Sequence, residues 1–442
     1  MKKVSGLSPW KLFSVIGFFC GSLLLLLYND KIEDNRSFLA AKSSMEELAP
    51  NVTLLAPPTT ITKLIFPTNF TNIYPTHKPN NVTLSSIENP APKSKTAKCD
   101  IFDGRWVYSS EEKPTYNAMT CPFMDKTTSC QKNGRPDFEY LKWRWEARDC
   151  DIPLFDGKDM LERLRNKRMI IVGDSINRNM WESLACLLYS IVPSSKAEIV
   201  DKKAYKGLVA KDFNFTVEFT MSPFLVDLDK NHESGRKVLV LDKISPYSKQ
   251  WSGANIMVFN SAHWWTHGNK IKAWDLFQYK GKLIEEMPRD LAYKRGMRTW
   301  ASWIKKNVDP KQTNVFFRSL SPTHSSQKYD QWCYNVTLPK MEESYISSFP
   351  KTFVVVIETL IKGMSKFGVR YLNITELSQF RIDAHPSIYT MELKTLTKQY
   401  NDDHLRHVDC SHWCLPGLPD TWNRLLYASI LFDNIPGNMP RS

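Results

Sequence analysis

The longest uninterrupted apolar stretch, LFSVIGFFCGSLLLLLY from Leu12 to Tyr28, carries no charged residue. Lys2, Lys3 and Lys11 precede it and Asp30 follows. The run is at the short end of what crosses a bilayer, and the basic flank holds its N-terminal side in the cytosol. A cleaved signal would close on a small-x-small site, whereas this run ends Leu25-Leu26-Leu27-Tyr28. The pattern predicts a cytosolic tail over 1–11 and an uncleaved signal-anchor over 12–28. Residues 29–98 contain no cysteine and are rich in Pro, Thr and Asn, including Pro57, Pro58, Pro67, Pro75, Pro79, Pro90 and Pro92. That composition predicts an extended stem.

From Cys99 to about residue 160 the chain is rich in Cys and Trp, with Trp106, Trp143 and Trp145. Short loops tied by disulfides are expected there, as an N-terminal subdomain over 99–160. Met169-Ile170-Ile171-Val172 is then a continuous apolar run, the signature of a strand buried on both faces. It stops at Gly173-Asp174-Ser175, and a helix follows with Trp181, Leu184, Ala185 and Leu188 on one face. Further strands are expected at Ile256–Phe259, Val315–Phe317, Phe353–Ile357 and Val369–Ile374, with helical pattern between them, as at Tyr293–Lys305. Alternating strands and helices predict an α/β domain over 161–442 built on a mostly parallel sheet. Its ligand crevice should lie at the C-terminal ends of the strands.

Composition narrows the class. The chain has 442 residues, 42% hydrophobic and 12% aromatic, enough to bury a sizeable core and too much for a mostly disordered protein. A single long apolar run excludes a polytopic channel or transporter. No period of 20–50 residues is visible, which argues against a solenoid or propeller. A net charge of +13 suits nucleic acid, anionic lipid or acidic polysaccharide. With no zinc-finger spacing, no aromatic-glycine RNA-binding string and a membrane anchor, nucleic acid is the weakest of these. N-x-[ST] acceptors at Asn35, Asn51, Asn69, Asn81, Asn214, Asn335 and Asn373 agree with a luminal body. Outside the membrane run eight cysteines remain, an even count that reads as four disulfides in an oxidising compartment. The competing reading is a zinc site on Cys410 and Cys414 with His263 and His267, but no C-x2-C pairing supports it and no metal is expected.

The chemistry gathers at two places. Ser175 stands where a buried strand turns into a helix, so the first helical N–H groups point at whatever binds beside it. It can be a nucleophile, or only the cap of the helix. Asp409-Cys410-Ser411-His412 puts a carboxylate within one turn of an imidazole, so that Asp409 can hold His412 in the tautomer that accepts a proton from Ser175. The plain alternative is a loop histidine beside a surface aspartate. Flanking Cys410 and Cys414, with Trp413 and Leu415, would pin this loop rigidly, as a catalytic base requires. On the string Val258-Phe259-Asn260-Ser261-Ala262-His263-Trp264-Trp265, Asn260 can donate its amide to an oxyanion. Trp264 and Trp265 can stack on sugar rings or simply fill the core. Arg178, one turn beyond Ser175, can orient a ligand or lie on the surface.

Together these strings resemble the plant trichome birefringence-like family of cell-wall polysaccharide O-acetyltransferases, nearest to the branch of the trichome birefringence protein itself. The likeness covers roughly residues 97–436. It rests on CDIFDGRWV at 99–107, NGRPD at 133–137, LKWRW at 141–145 and VGDSINRNMWESL at 172–184. VEFTMSPFLV at 217–226, VFNSAHWWTH at 258–267, FFRSLSPTH at 316–324, RIDAHPSIY at 381–389 and DCSHWCLPGLPDTWN at 409–423 complete it. The resemblance implies an SGNH/GDSL-hydrolase-like fold, with Ser175 as nucleophile, His412 as base and Asp409 as its partner. Asn260 and Arg178 would stabilise the oxyanion with the Ser175 N–H. Gly173, Asp174, His263 and Trp264 would be further substrate-facing positions.

It also implies a type II Golgi membrane protein with a luminal catalytic domain and a wall polysaccharide such as xylan or pectin as acceptor. No cofactor would be bound. An acetyl donor, acetyl-CoA or a derivative, would be the co-substrate, and a second membrane protein would supply it. The implied disulfides are Cys99–Cys150, Cys121–Cys186, Cys130–Cys414 and Cys333–Cys410, whereas the sequence alone allows on the order of a hundred connectivities. The chain departs from the family pattern at Tyr329-Asp330-Gln331-Trp332-Cys333, where a glycine-glycine-x-cysteine stretch is usual, at Ala262, and at Arg424 in place of a frequent Glu. Two other readings stand beside acetyl transfer. One is an acetylesterase with the same triad. The other is a non-catalytic pectin-binding protein of the wall, against which the intact Ser175, Asp409 and His412 argue.

Overall fold

The computed structural model describes residues 99–433 except 203–204, 267–272, 327–330, 343–344, 346–348 and 393–407. The expected tail, anchor and stem over 1–98 lie outside the described residues. Among the described residues no helix is long and apolar enough to cross a membrane.

The central sheet has seven strands. In chain order the first is β3 (Arg168–Gly173), since β1 (Gly104–Tyr108) and β2 (Trp143–Ala147) form a separate hairpin. β4 (Ala197–Lys202), β5 (Tyr205–Ala210), β6 (Phe215–Met221), β9 (Ile256–Phe259), β12 (Asn314–Arg318) and β15 (Val369–Leu372) complete it in the order β15-β12-β9-β3-β6-β5-β4. β15, β12, β9, β3 and β6 run parallel, and β5 and β4 close one edge as an antiparallel hairpin. The sheet is therefore mixed, with the expected parallel strands at its centre. β3 shows why the apolar run is unbroken: Met169 and Ile171 join the core on one face, Ile170 and Val172 the core on the other. Ile256 and Val258 against Met257 and Phe259 repeat this in β9. Strands covered on both sides have no polar face to show.

One face carries α2 (Ser175–Tyr189) and α5 (Leu418–Asp433), and the short α1 (Gly157–Arg163) packs on α2. The other carries α3 (Arg289–Asn307), α4 (Lys351–Lys362) and a smaller four-stranded sheet that the hydrophobic pattern did not predict. That sheet consists of β7 (Val226–Asp229), β8 (Val238–Ile244), β10 (Leu276–Tyr279) and β11 (Lys282–Ile284). Its strands are short and interrupted by polar residues, which hides their period.

The segment Phe353–Ile357, expected as a strand, is helical within α4. Phe353, Ile357 and Ile361 are buried at a spacing of four, whereas Val355 is 59% exposed. The β-branched run Val354-Val355-Val356 imitates a strand, but the buried face repeats with the turn of a helix. The strand expected over Val369–Ile374 ends at Leu372.

In the N-terminal subdomain the expected loops are accompanied by the β1–β2 hairpin, which pairs Trp106 opposite Trp145. Both indole N–H groups are spent on buried carbonyls, Trp106 on Leu377 and Trp145 on Ile101. Arg424 donates to the carbonyls of Trp145, Ile152 and Pro153, fastening this region to α5. The bridges are Cys99–Cys150, Cys121–Cys186, Cys130–Cys414 and Cys333–Cys410, the pairs that the resemblance implies.

The helical reading of α4 has a direct check by denaturant unfolding. Ile357→Ala is expected to cost about 2–5 kcal/mol. Val355→Thr is expected to stay within about 0.5 kcal/mol. Comparable losses at both positions would restore the strand.

Candidate active site

β3 ends at Gly173 with φ +152°, and a Cβ there would overlap the side-chain and backbone oxygens of Asn260. Only glycine lets the chain that follows β9 approach so closely. Asp174 caps α2: its Oδ1 accepts from the Ile176 N–H at 3.0 Å. The same oxygen accepts from Asn260 Nδ2 at 2.8 Å, while the Asp174 N–H donates to Asn260 Oδ1 at 3.1 Å. This reciprocal pair ties the C-terminal ends of β3 and β9 together beside the N-terminus of α2. The second carboxylate oxygen of Asp174 lies 3.6 Å from His263 Nδ1. Burial opposes the charge on Asp174, but His263, Arg318 and Asn260 outweigh it and hold the carboxyl well below its ordinary range.

The hydroxyl of Ser175, first residue of α2, lies 2.7 Å from His412 Nε2, which accepts from it when the ring is neutral. His412 Nδ1 meets Asp409 Oδ2, also at 2.7 Å. The other Asp409 oxygen accepts from the Ser411 and His412 N–H groups at 2.9 and 3.1 Å, which fixes the carboxylate inside its own turn. Burial disfavours an imidazolium at His412, yet the charge and hydrogen bond of Asp409 prevail and raise its pKa. Asp409 is correspondingly held ionised, burial being overcome chiefly by His412.

The loop that carries His412 is clamped on every side. Asp409 makes a two-way backbone bridge with Ser387. Cys410 and Cys414 are bonded to Cys333 and Cys130. Neither sulfur is therefore a thiolate, which removes them from the alternative zinc set; His267 lies outside the described residues. Trp413 is wholly buried, its N–H donates to Asn179 Oδ1 at 2.8 Å, and Asn179 Nδ2 donates back to its carbonyl at 3.1 Å. Asn179 stands one helical turn beyond Ser175, so the serine and the histidine are referred to the same helix.

A pocket of about 240 Å³ opens at Ser175, lined by Ile176, His263, Trp264, Ala273, Asp409, Ser411 and His412. Trp264 also borders a wider cavity of about 820 Å³ that includes Arg178, Lys206, Lys243 and Tyr247. Trp265 is fully buried and packs on Phe224, Trp274 and Tyr293, so it belongs to the core. Arg178 does not border the smaller pocket. Its guanidinium lies 3.6 Å from Asp125 and 3.4 Å from Glu182, and its charge opposes protonation of His412. Burial pushes Glu182 up to about 7 against the pull of Arg178.

Sequence reasoning assigned nothing to Asn179, Asn177 or Arg318. Asn177 donates to the Val172 carbonyl of β3 and the Val258 carbonyl of β9, and accepts from buried Arg318 at 2.8 Å. All three fall inside the strings GDSINRN and FFRS, but no local pattern in the sequence marks them out, because their partners lie on other elements.

A family profile described as a GDSL/SGNH-like acyl-esterase family found in Pmr5 and Cas1p matches residues 152–429. A second, the PMR5 N-terminal domain, matches residues 97–151. The chain belongs to this acyl-esterase family, and its mixed α/β fold is the SGNH-like one. Relatives include protein trichome birefringence-like 3 of Arabidopsis thaliana, 39% identical over 75% of this chain and 79% of that protein. Protein trichome birefringence-like 6 of Arabidopsis thaliana is 40% identical over 82% of this chain and 76% of its own length. A protein of Oryza sativa subsp. japonica named probable xylan O-acetyltransferase 8 is 40% identical over 77% of this chain and 80% of its own. This chain is accordingly an enzyme of the acyl-transferring class.

The raised His412 pKa sets a pH dependence. Only neutral His412 accepts the Ser175 proton, so ester cleavage should rise with pH through a midpoint above the ordinary imidazole value of about 6.5. Asp409→Asn removes the charge that raises it and should move the midpoint to lower pH while lowering the maximal rate. A midpoint unmoved by Asp409→Asn in a pH–rate profile would contradict the assignment.

Proposed function

We propose that this enzyme transfers acetyl groups to a hydroxyl of a plant cell-wall polysaccharide through an acetyl-Ser175 intermediate. The observation that carries the reading is the chain Ser175–His412–Asp409, linked by two 2.7 Å contacts at the mouth of a pocket. Ser175 Oγ attacks the acetyl carbonyl as its proton passes to His412 Nε2, and Asp409 stabilises the imidazolium. The oxyanion forms at the N-terminus of α2, where the aligned N–H groups favour negative charge. One of the two Asn260 amide hydrogens is engaged by Asp174, and we assign the other to the oxyanion. His412 returns its proton to the departing donor. A sugar hydroxyl then gives its proton to His412 and attacks the acetyl carbon, and Ser175 leaves with that proton.

The acceptor class is a hemicellulose or pectin. The printed name of the rice relative favours xylan, and the +13 charge together with Lys206 and Lys243 in the wider cavity favours acidic substituents. Trp264, shared by the two cavities, is assigned to stack on the sugar that presents the hydroxyl, with Arg178 in an orienting role. The donor is acetyl-CoA or a derivative delivered by a partner in the membrane. The site of action is the Golgi lumen, reached by an N-terminal signal-anchor over 12–28. Four disulfides and the exposed acceptors Asn214 and Asn335 support an oxidising, glycosylating compartment. Because the matching profile is described as an acyl-esterase family, hydrolysis by the same triad is the second reading.

The test presents an acetyl donor and deacetylated xylan, pectin, mannan and xyloglucan oligosaccharides to the protein, with mass spectrometry of the products. An oligosaccharide gaining one acetyl is expected, and Ser175→Ala or His412→Ala should each lower its rate by on the order of 10³-fold or more with the fold intact. Free acetate without acetylated sugar would move the assignment to an esterase. Retention of activity in either variant would remove the mechanism. Reductant should inactivate the enzyme by freeing the 409–414 loop; full activity under reductant would break that link.

A further inference from the structure

Two buried histidines outside the triad stand behind it. His324 follows β12 and His385 precedes the Ser387–Asp409 bridge; both are at most 1% exposed. His324 Nδ1 and His385 Nε2 face each other at 2.6 Å. Their far nitrogens meet carbonyl oxygens: His324 Nε2 the carbonyl of Gln379 at 2.8 Å, His385 Nδ1 the carbonyl of His412 at 2.6 Å. A carbonyl only accepts, so both far nitrogens carry hydrogen. A neutral imidazole has a single N–H. Two neutral rings would thus spend both hydrogens outward and oppose two lone pairs across the contact between them. One additional proton fills that contact as N–H···N.

We propose that His324 and His385 share one such proton and act as a single positioning pair, holding His412 through its backbone carbonyl. The inference rests on the acetyl-transfer reading for its consequence, not for the pairing itself. Taken singly, each ring resists a charge: burial, and for His385 also a charge on His324 or His412, leaves His324 at about 4 and His385 well below its usual value even though the carbonyl oxygens and Asp409 favour the charge. What a single ring lacks is the 2.6 Å contact between the two, where a shared proton removes the facing lone pairs and so raises the affinity of the pair above that of either ring alone; the Trp413 ring, flat against His385 at 3.9 Å between centroids, adds to it. Of the other groups around the pair, Arg135 donates to the His385 carbonyl but is ion-paired with Asp137. Arg381 is ion-paired with Asp383, Tyr345 lies parallel to His324 at 6.4 Å, and a charge on His412 works against one on His385. Both rings share the one proton, so the pair titrates as a unit.

The consequence has a definite sign. The shared proton is present at low pH and lost as pH rises, and its loss sets the facing nitrogens in repulsion and loosens the His412 carbonyl. The acid limb of activity belongs to His412, and the alkaline limb belongs to this pair.

The experiment uses the full-length protein carrying 15N-histidine. Below the alkaline limb, NMR should show one strongly downfield, exchange-protected imidazole proton coupled to nitrogens of two rings. His385→Asn keeps an amide donor for the His412 carbonyl and offers no base to His324. It should lose that resonance and the alkaline limb, with kcat down on the order of ten- to a hundredfold and KM near the wild-type value. His324→Gln should behave alike. Two neutral rings at every pH where the protein is folded, or an alkaline limb that His385→Asn retains, overturns the proposal. The resonance is read on the wild-type protein without substrate, so neither a misfolded variant nor a failure of the acetyl-transfer reading leaves the pairing undecided.

Discussion

The two amide contacts between Asn179 and the Trp413 backbone set the geometry on which the site depends. Ser175 and His412 are 237 residues apart in the chain, yet must meet at hydrogen-bond distance. Bringing such distant segments together costs loop-closure entropy that a single serine–histidine contact does not offset. Asn179 removes the freedom of the loop relative to α2, the buried indole of Trp413 anchors it in the core, and Cys130–Cys414 ties it to the N-terminal subdomain. The histidine is thus placed by its neighbours on either side, Asp409 through Ser387 and Trp413 through Asn179. Placement of this kind is what converts a serine at a helix start into a nucleophile with a base in reach.

The charges follow the same plan. Two carboxylates, buried Asp174 and half-buried Asp409, are each held ionised by an imidazole and by N–H groups. Two others on the same face of the sheet, Glu182 and Asp420, are pushed by burial up to about 7 and about 6. Asp174 fastens β3 to the segment after β9, so that its charge braces the start of α2 beside Ser175. Asp409 holds the imidazole of His412. Arg178 and Glu182 act on His412 with opposite signs, the arginine opposing and the glutamate favouring its protonation. The basic charge near Ser175 is thereby moderated by an acid beneath it.

Much of this was legible in the chain. The buried central strands announce themselves as apolar runs because both of their faces are covered, and Ser175 and the Asp409–His412 pair stand out because their spacing suits a helix start and a single turn. The helix over Lys351–Lys362 was misread because three consecutive valines carry strand character, while its buried positions Phe353, Ile357 and Ile361 repeat every fourth residue. The second sheet was missed because its strands are short and partly solvated. Asn177, Asn179, Arg318, His324 and His385 were quoted within motifs but given no role. Their function lies chiefly in hydrogen bonds to segments distant in the chain, 27 residues for His385 to His412, 61 for His324 to His385 and 234 for Asn179 to Trp413, which no local period reveals.

The central claim is that Ser175 carries the acetyl group between donor and acceptor. The most direct test mixes the protein with an acetyl donor in the absence of acceptor, quenches at short times and maps acetylated peptides. Acetyl on the Ser175 peptide, discharged to a wall oligosaccharide on its addition and absent when His412 is replaced, is the expected result. Acetylated oligosaccharide formed at full rate with no acetyl on Ser175 at any time would contradict the account.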